Sequence, residues 1–319
     1  MLFFLLLISL VKSDFENYYK LHHKLLTEYG ISKKESELNY KENIKFIEQF
    51  NKEDHSYKMS ENTPFVGFNK DKLKDIFIRR TRYNITNYQI KNAYNGKQGT
   101  IPDSIDYRNQ MSSIRDQGSC ASCYSFGSVG AIEGRLNLYK NNKFDFSEQQ
   151  VISCSQSYGN NGCNGGLSYN VYEYILHNDL AIESDYPYTE TTGTCKSVKK
   201  HIKIQSYQSC RGFMQDCLVR GPIDIAMDVT SSFNYYSSGY YSETNCNSDP
   251  NYLNHEMVAV GYGYNNGKLY YIIRNSWGKY WGMNGYAYVY AGICGVDSDP
   301  VEPNGCSIKS RKYYDWKWN

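Results

Sequence analysis

The chain reads as an α+β protein of two lobes, the first helical and the second an antiparallel sheet, with a helical leader in front. Three observations carry this. Apolar residues recur at three- and four-residue spacing in the first half, the period of a helix face. Beyond Pro222 apolar and polar residues alternate, the period of a strand. All 10 cysteines lie between Cys120 and Cys306, which separates a leader from a body of different character. Helices gathered before strands argue for segregated α+β layers, with a cleft between the lobes as the place for a site.

Residues 1–13, MLFFLLLISLVKS, hold an apolar run too short for the roughly 20 residues of a membrane span, and they read as a secretory signal peptide ending near Ser13. An exported chain puts its cysteines in an oxidising setting, where disulfides are the default. Residues 14–100 form a charged, cysteine-free leader in which Tyr40, Asn43, Ile44, Ile47 and Phe50 share one helix face. The triplet Asn84-Ile85-Thr86 is its glycosylation acceptor.

After Ile101-Pro102 the texture turns to glycine, cysteine and tyrosine. Phe126, Val129, Ile132, Leu136 and Tyr139 mark a helix with Cys123 at its N-terminus. Ser147 and Gln150 in FSEQQ predict a second helix opened by a capping box. Ile223, Ile225, Met227 and Val229 predict a strand. Val258–Tyr262 and Lys268–Arg274 predict a hairpin around Asn265-Asn266-Gly267.

The stretch QGSCASCYSF, residues 117–126, raises the chemical question, because its two cysteines fit a redox pair, half a zinc site, or one structural and one reactive thiol. Only a thiolate attacks a carbonyl, and a helix N-terminus beside an imidazolium lowers a thiol's pKa by several units. Of the body's histidines, His177 and His201 read as surface residues, whereas His255 precedes the strand EMVAVGYGY. Asn275, on the next strand of that hairpin, can accept the imidazole N–H and fix its tautomer. Trp277 can shield that bond from water. The amide of Gln117, six residues before Cys123, can meet a developing oxyanion together with the Cys123 backbone N–H.

QGSCASCYSF, GCNGG at 162–166, NHEMVAVGYG at 254–263 and NSWGKYWG at 275–282 together resemble, in order, the papain-like cysteine peptidases, and the tyrosine usage at Tyr107 and Tyr124 is closest in character to the amoebic cysteine proteinases. The separations of Cys123 from His255 and Asn275 agree with the family's roughly 130–150 residues. The resemblance implies a two-lobed papain-like fold over 101–303. It makes Cys123 the nucleophile, His255 the general base and acid, Asn275 its orienter and Gln117 the oxyanion donor. Gly165 and Gly166 would present backbone to an extended substrate, and Leu167, Ala226 and Asp299 would line the pocket for the substrate residue two before the scissile bond. Asp299 there would favour Arg or Lys.

The same resemblance implies disulfides Cys120–Cys163, Cys154–Cys195 and Cys246–Cys294. Cys210, Cys217 and Cys306 are left over, and their pairing stays open: Cys210 can pair with Cys217, with Cys306 then a thiol or an intermolecular partner. The leader becomes an inhibitory propeptide whose helix signature survives as Tyr40, Asn43, Ile47 and Asn51, with Ser32 and Ser36 where a Glu and an Arg are usual. Ala121 likewise stands where the family has Gly. Partners would be peptide or protein substrates, the chain's own propeptide and cystatin-type inhibitors. The chain would work in the secretory pathway, in a lysosome-like vesicle or outside the cell. The GCNGG region lacks the paired-histidine insertion of the family's dipeptidases, so endopeptidase action is expected. Residues 304–319 form a basic tail, expected to be disordered.

The small net charge of +2, with Lys and Arg scattered, argues against nucleic acid. No metal or cofactor is called for. Two other readings stand beside the peptidase: a thiol-disulfide oxidoreductase using Cys120 and Cys123, and a catalytically silent binding protein of papain fold.

Overall fold

In the computed structural model the described residues are 2–70, 72–73, 100–140 and 143–308, with backbone alone for 2–13 and 307–308. Asn84 and the leader from 74 to 99 lie outside them. None of the described helices is long and apolar enough to cross a membrane.

The leader begins with helices α1 (Leu2–Glu28) and α2 (Lys33–Lys52). Ser32 caps α2, its side chain accepting the Glu35 N–H at 3.2 Å. The face of α2 that is buried carries Tyr40, Asn43 and Ile47, together with Ser36 and Asn39. Its asparagines tie down the returning chain. Asn43 donates to the carbonyls of Val66 and Phe68, both at 2.8 Å, and the Asn51 amide exchanges two bonds with the Met59 backbone. That second clasp shapes β1 (Tyr57–Met59), which pairs antiparallel with β6 (Tyr236–Tyr241) of the body. The leader thereby adds an edge strand to the body's sheet.

In the body, α3 (Cys123–Lys140) is the central element. The sequence predicts one apolar stripe on it, yet every residue from Tyr124 to Asn137 is buried and Tyr139 is exposed. Glycines explain the difference. A Cβ at Gly127 would come within 2.4 Å of an Asp224 carboxylate oxygen and one at Gly130 within 2.9 Å of Val258, so the bare backbone packs directly on the sheet. The other side meets α4 (Glu148–Cys154) and α5 (Ser168–Asn178), with Tyr124, Val129, Ile132, Tyr172 and Ile175 in the helical core.

Ser147 caps α4 by accepting from the Gln150 N–H at 3.0 Å. The reciprocal half of the expected capping box is absent. The Gln150 side chain turns instead to Tyr174, Asp179 and Ala181, and the Ser147 N–H donates to the Ala181 carbonyl. A cap in a buried position can use tertiary partners that sequence spacing does not foresee.

The sheet takes in β2 (Ile105–Asp106), β4 (Ser206–Ser209), β5 (Ile223–Met227), β7 (His255–Asn265), β8 (Lys268–Arg274), β9 (Tyr286–Tyr290) and β10 (Val301–Asn304), in the order β1-β6-β9-β8-β7-β5-β10-β4 with β2 also on β7. A separate short pair joins β3 (Ile202–Lys203) to β11 (Ser307–Ile308). Among the described pairs only β6 and β9 run parallel. β5 ends at Met227, before Val229, and is buried on both faces, between α3 on one side and the core of the sheet lobe on the other. The β7–β8 hairpin pairs Asn265 with Lys268 around Asn266-Gly267, both at positive φ (49° and 76°), the geometry of a type I′ turn.

Strand pairing runs through Ile308, and Cys306 is buried in the helical core. The expected tail from 304 therefore begins inside regular structure, because backbone groups of Ser307 and Ile308 pair with β3.

Candidate active site

Two strand ends and a helix tip meet at the cleft. Cys123 opens α3, so its sulfur sits at the positive end of an 18-residue helix. Cys120 is bonded to Cys163, which leaves Cys123 outside the four disulfides and dissolves the apparent Cys120/Cys123 redox pair. The other bridges are Cys154–Cys195, Cys246–Cys294 and Cys210–Cys217. Glu302 approaches Cys210 at 3.3 Å and pairs with the buried Arg135 and with Arg220, so the Cys210, Cys217 and Glu302 group is a disulfide beside an ion-pair network.

His255 begins β7 and is 1% exposed. Its Nε2 lies 2.8 Å from Oδ1 of Asn275, just past the end of β8. That same Oδ1 accepts the Ser276 backbone N–H at 2.8 Å. A backbone N–H can only donate, so the atom facing His255 is the amide oxygen and Nε2 carries the proton. Neutral His255 is therefore the tautomer whose Nδ1 bears a lone pair, which suits it to take a proton from a thiol. Trp277 stacks on the imidazole, with ring centroids 4.6 Å apart. Burial pushes the imidazole down to about 4, and the Asn275 hydrogen bond opposes that shift.

Gln117 is buried and held at both ends of its amide. Nε2 donates to the Cys120 carbonyl at 3.0 Å, and Oε1 accepts from the Ser276 hydroxyl at 2.7 Å. Its backbone N–H also donates to the Ser276 carbonyl at 2.8 Å. Ser276 thus joins the asparagine that orients the histidine to the glutamine beside the cysteine, a residue to which sequence reasoning gave no role. The 115–117 segment is anchored on its other side by Arg115, which pairs with Glu148 at 3.0 Å and Glu183 at 3.2 Å.

Gly165 has φ 106° and ψ 170°, a backbone region open essentially to glycine alone. A Cβ on Gly166 would come within 2.3 Å of the Asn160 amide oxygen. Leu167 and Ala226 are buried. Asp299, 9% exposed, accepts from the Tyr169 hydroxyl at 2.8 Å, and Tyr169 stands on the first turn of α5 just after Leu167. Glu256 stands beside Ala226 and Ser168. It pairs in register with Ala226, and its carboxylate receives the Ser168 N–H at 3.4 Å. A carboxylate at strand position 256 gave no signal of its own in the sequence. His177 is exposed as expected, whereas His201 is partly buried against Asp185 at 2.9 Å.

The leader reaches the same cleft. Phe65 packs edge-on against Trp277 at 4.8 Å, the Tyr29 hydroxyl donates to the Ser119 carbonyl at 3.0 Å, and Lys24 pairs with Glu190 at 2.5 Å.

Such a fold, with a thiol at a helix tip, a strand-borne His–Asn pair and a packed leader, defines a proenzyme of the cysteine peptidase class. Comparison with known proteins agrees. The model of the papain family of cysteine proteases matches residues 101–314. Cysteine proteinase 2 of Entamoeba histolytica is 38% identical over 95% of this chain and 98% of its own, and mouse pro-cathepsin H is 31% identical over 90% and 89%. Among solved structures, digestive procathepsin L 3 of Tenebrio molitor superposes with TM-score 0.78 at 27% identity over 90% of this chain and 99% of its own. The stem bromelain precursor gives 0.73 at 28% over 90% and 99%. The chain belongs to the papain family of cysteine proteases, and it is a cysteine endopeptidase in zymogen form.

Proposed function

We propose that the activated enzyme hydrolyses peptide bonds through Cys123, with a preference for a basic residue two before the scissile bond. His255 Nδ1 takes the Cys123 proton, and the thiolate adds to the substrate carbonyl. The resulting oxyanion is met by the second Gln117 Nε2 hydrogen and the Cys123 backbone N–H. The imidazolium gives its proton to the leaving amine, and the same base then activates the water that hydrolyses the thioester. Asn275 keeps the ring in register throughout. The observation that supports this reading is the Ser276 N–H on Asn275 Oδ1, because it puts the proton of neutral His255 on Nε2 and leaves Nδ1 with a lone pair.

Asp299, with Glu256 beside Ala226, supports the basic preference, since a buried carboxylate bonds a guanidinium better than any apolar group. Gly165 and Gly166 would receive the substrate backbone. Passage through the secretory pathway to a lysosome-like vesicle or the exterior, and control by cystatin-type inhibitors, belong to the same proposal. The test is to activate the proenzyme and compare Arg- and Leu-containing peptides, with Cys123→Ser as control. Cleavage that survives in Cys123→Ser removes the nucleophile assignment; an equal rate with Leu removes the basic preference.

A further inference from the structure

The loop residue Tyr188 lies outside every role assigned above, yet its hydroxyl joins the two segments that must be in register for an oxyanion to be held. It donates to the Gln117 carbonyl at 2.6 Å and lies 3.0 Å from the Ser122 hydroxyl. A phenol has one proton, and the Gln117 carbonyl can only accept, so the second contact draws on the single Ser122 proton, which is shared between the Tyr188 oxygen and the Cys120 carbonyl at 3.3 Å. Ser122 immediately precedes Cys123, and its carbonyl accepts the Ser125 and Phe126 N–H groups of the first turn of α3.

Tyr188 is itself fixed from the helical lobe. Its N–H donates to Glu183 at 2.9 Å, the next N–H, of Thr189, donates to Gln149 at 2.8 Å, and its ring meets Phe126 edge-on at 5.1 Å. The ring is half-buried and the contact is internal to the body, so it outlasts removal of the leader.

We infer that Tyr188 is a positioning residue for the oxyanion site, setting the spacing between the Gln117 amide and the Cys123 backbone N–H through one hydroxyl. The inference rests on the reading of Gln117 as oxyanion donor. Gln117 is attached to Ser276 in the sheet lobe, to Cys120 within its own turn and to Tyr188 in the helical lobe, and the Tyr188 hydroxyl is the attachment that also reaches Ser122, the residue before Cys123. A donor displaced by a few tenths of an ångström still binds, but it no longer strengthens its bond as the carbonyl becomes an alkoxide.

The test uses the activated full-length product, with active sites titrated by a thiol-directed epoxide so that rates refer to folded enzyme. Tyr188→Phe keeps the ring and removes the hydroxyl. Its kcat is expected to fall about 10-fold with KM nearly unchanged, less than the roughly 100-fold loss from deleting a donor outright in Gln117→Ala. A peptide aldehyde, whose carbonyl carbon bonds the Cys123 sulfur while its oxygen becomes an alkoxide, should bind Tyr188→Phe weaker by a similar factor. Alkylation by iodoacetamide, in which the sulfur displaces iodide and no oxyanion forms, should keep its rate. In the Gln117→Ala background, Tyr188→Phe should cost nothing further.

Unchanged kcat in Tyr188→Phe, additive losses in the double variant, or an equal fall in alkylation rate would each overturn the inference. If Gln117→Ala keeps its rate, the oxyanion reading beneath it fails instead.

Discussion

The amide oxygen of Asn275 sits 2.8 Å from Nε2 of His255 while receiving the N–H of Ser276, so the orientation of the imidazole is dictated by backbone geometry one residue away. Asn275→Ala removes that reference. The ring then samples the wrong tautomer and rotamer, and kcat/KM should fall about 10- to 100-fold, a part of what general base catalysis supplies. Steady-state kinetics on a basic peptide measure it, and a loss under twofold would show that Trp277 alone orients the ring.

Asp299 and Glu256 are expected to divide the recognition of a basic side chain. Asp299→Asn should lower kcat/KM for an Arg peptide by roughly 30-fold, the worth of one hydrogen bond to a charged group, and leave a Leu peptide within about twofold. Glu256→Gln should give a smaller loss with the same selectivity. Equal losses on both peptides would point to misfolding of the pocket wall.

The leader's hold depends on Asn43. Its Nδ2 serves two buried carbonyls, so Asn43→Ala strands both and should destabilise the leader by about 2 kcal/mol. The readout is a raised inhibition constant for the isolated leader and faster processing of the proenzyme. An unchanged constant would mean that the Phe65–Trp277 contact carries inhibition by itself.

Two histidines make the zymogen sensitive to acid. Burial lowers His22, packed on Tyr18 in the leader, and His255, stacked on Trp277, to about 4 each. Unfolded, they bind protons below about 6.5, so the native state binds fewer protons between about 6.5 and 4. Their stabilising contribution is thus complete above pH 6.5 and lost as pH falls, at up to about 1.4 kcal/mol per pH unit for each group. Thermal melts should show Tm dropping over that window, and His22→Leu should flatten the drop. A curve indifferent to His22 would assign the acid response to other groups.

Legibility in the sequence followed locality. The Cys123 helix, the Asn266-Gly267 hairpin and the His255–Asn275 hydrogen bond all depend on periods and turns within one or two elements. Burial of α3 on all sides did not show, because it depends on which strands lie opposite Gly127 and Gly130. Ser276, Tyr188 and Glu256 were missed for a related reason. A serine after an asparagine, a tyrosine in a loop and a glutamate in a strand acquire meaning only from partners far along the chain. The leader's clasp was half visible: Asn43 and Asn51 fell on the right helix face, but the carbonyls they serve belong to no recognisable pattern.

The short run from Arg115 to Cys123 is fastened to opposite halves of the molecule, by Ser276 on the sheet side and by Glu148, Tyr188 and Cys163 on the helical side. It behaves as a hinge pin through which any parting of the halves is transmitted straight to the thiol and its donors. Turnover is then a strain gauge for the gap between them. Mild denaturant should extinguish catalysis before either half melts, and a bound aldehyde should act as a rivet that raises the melting point of both together.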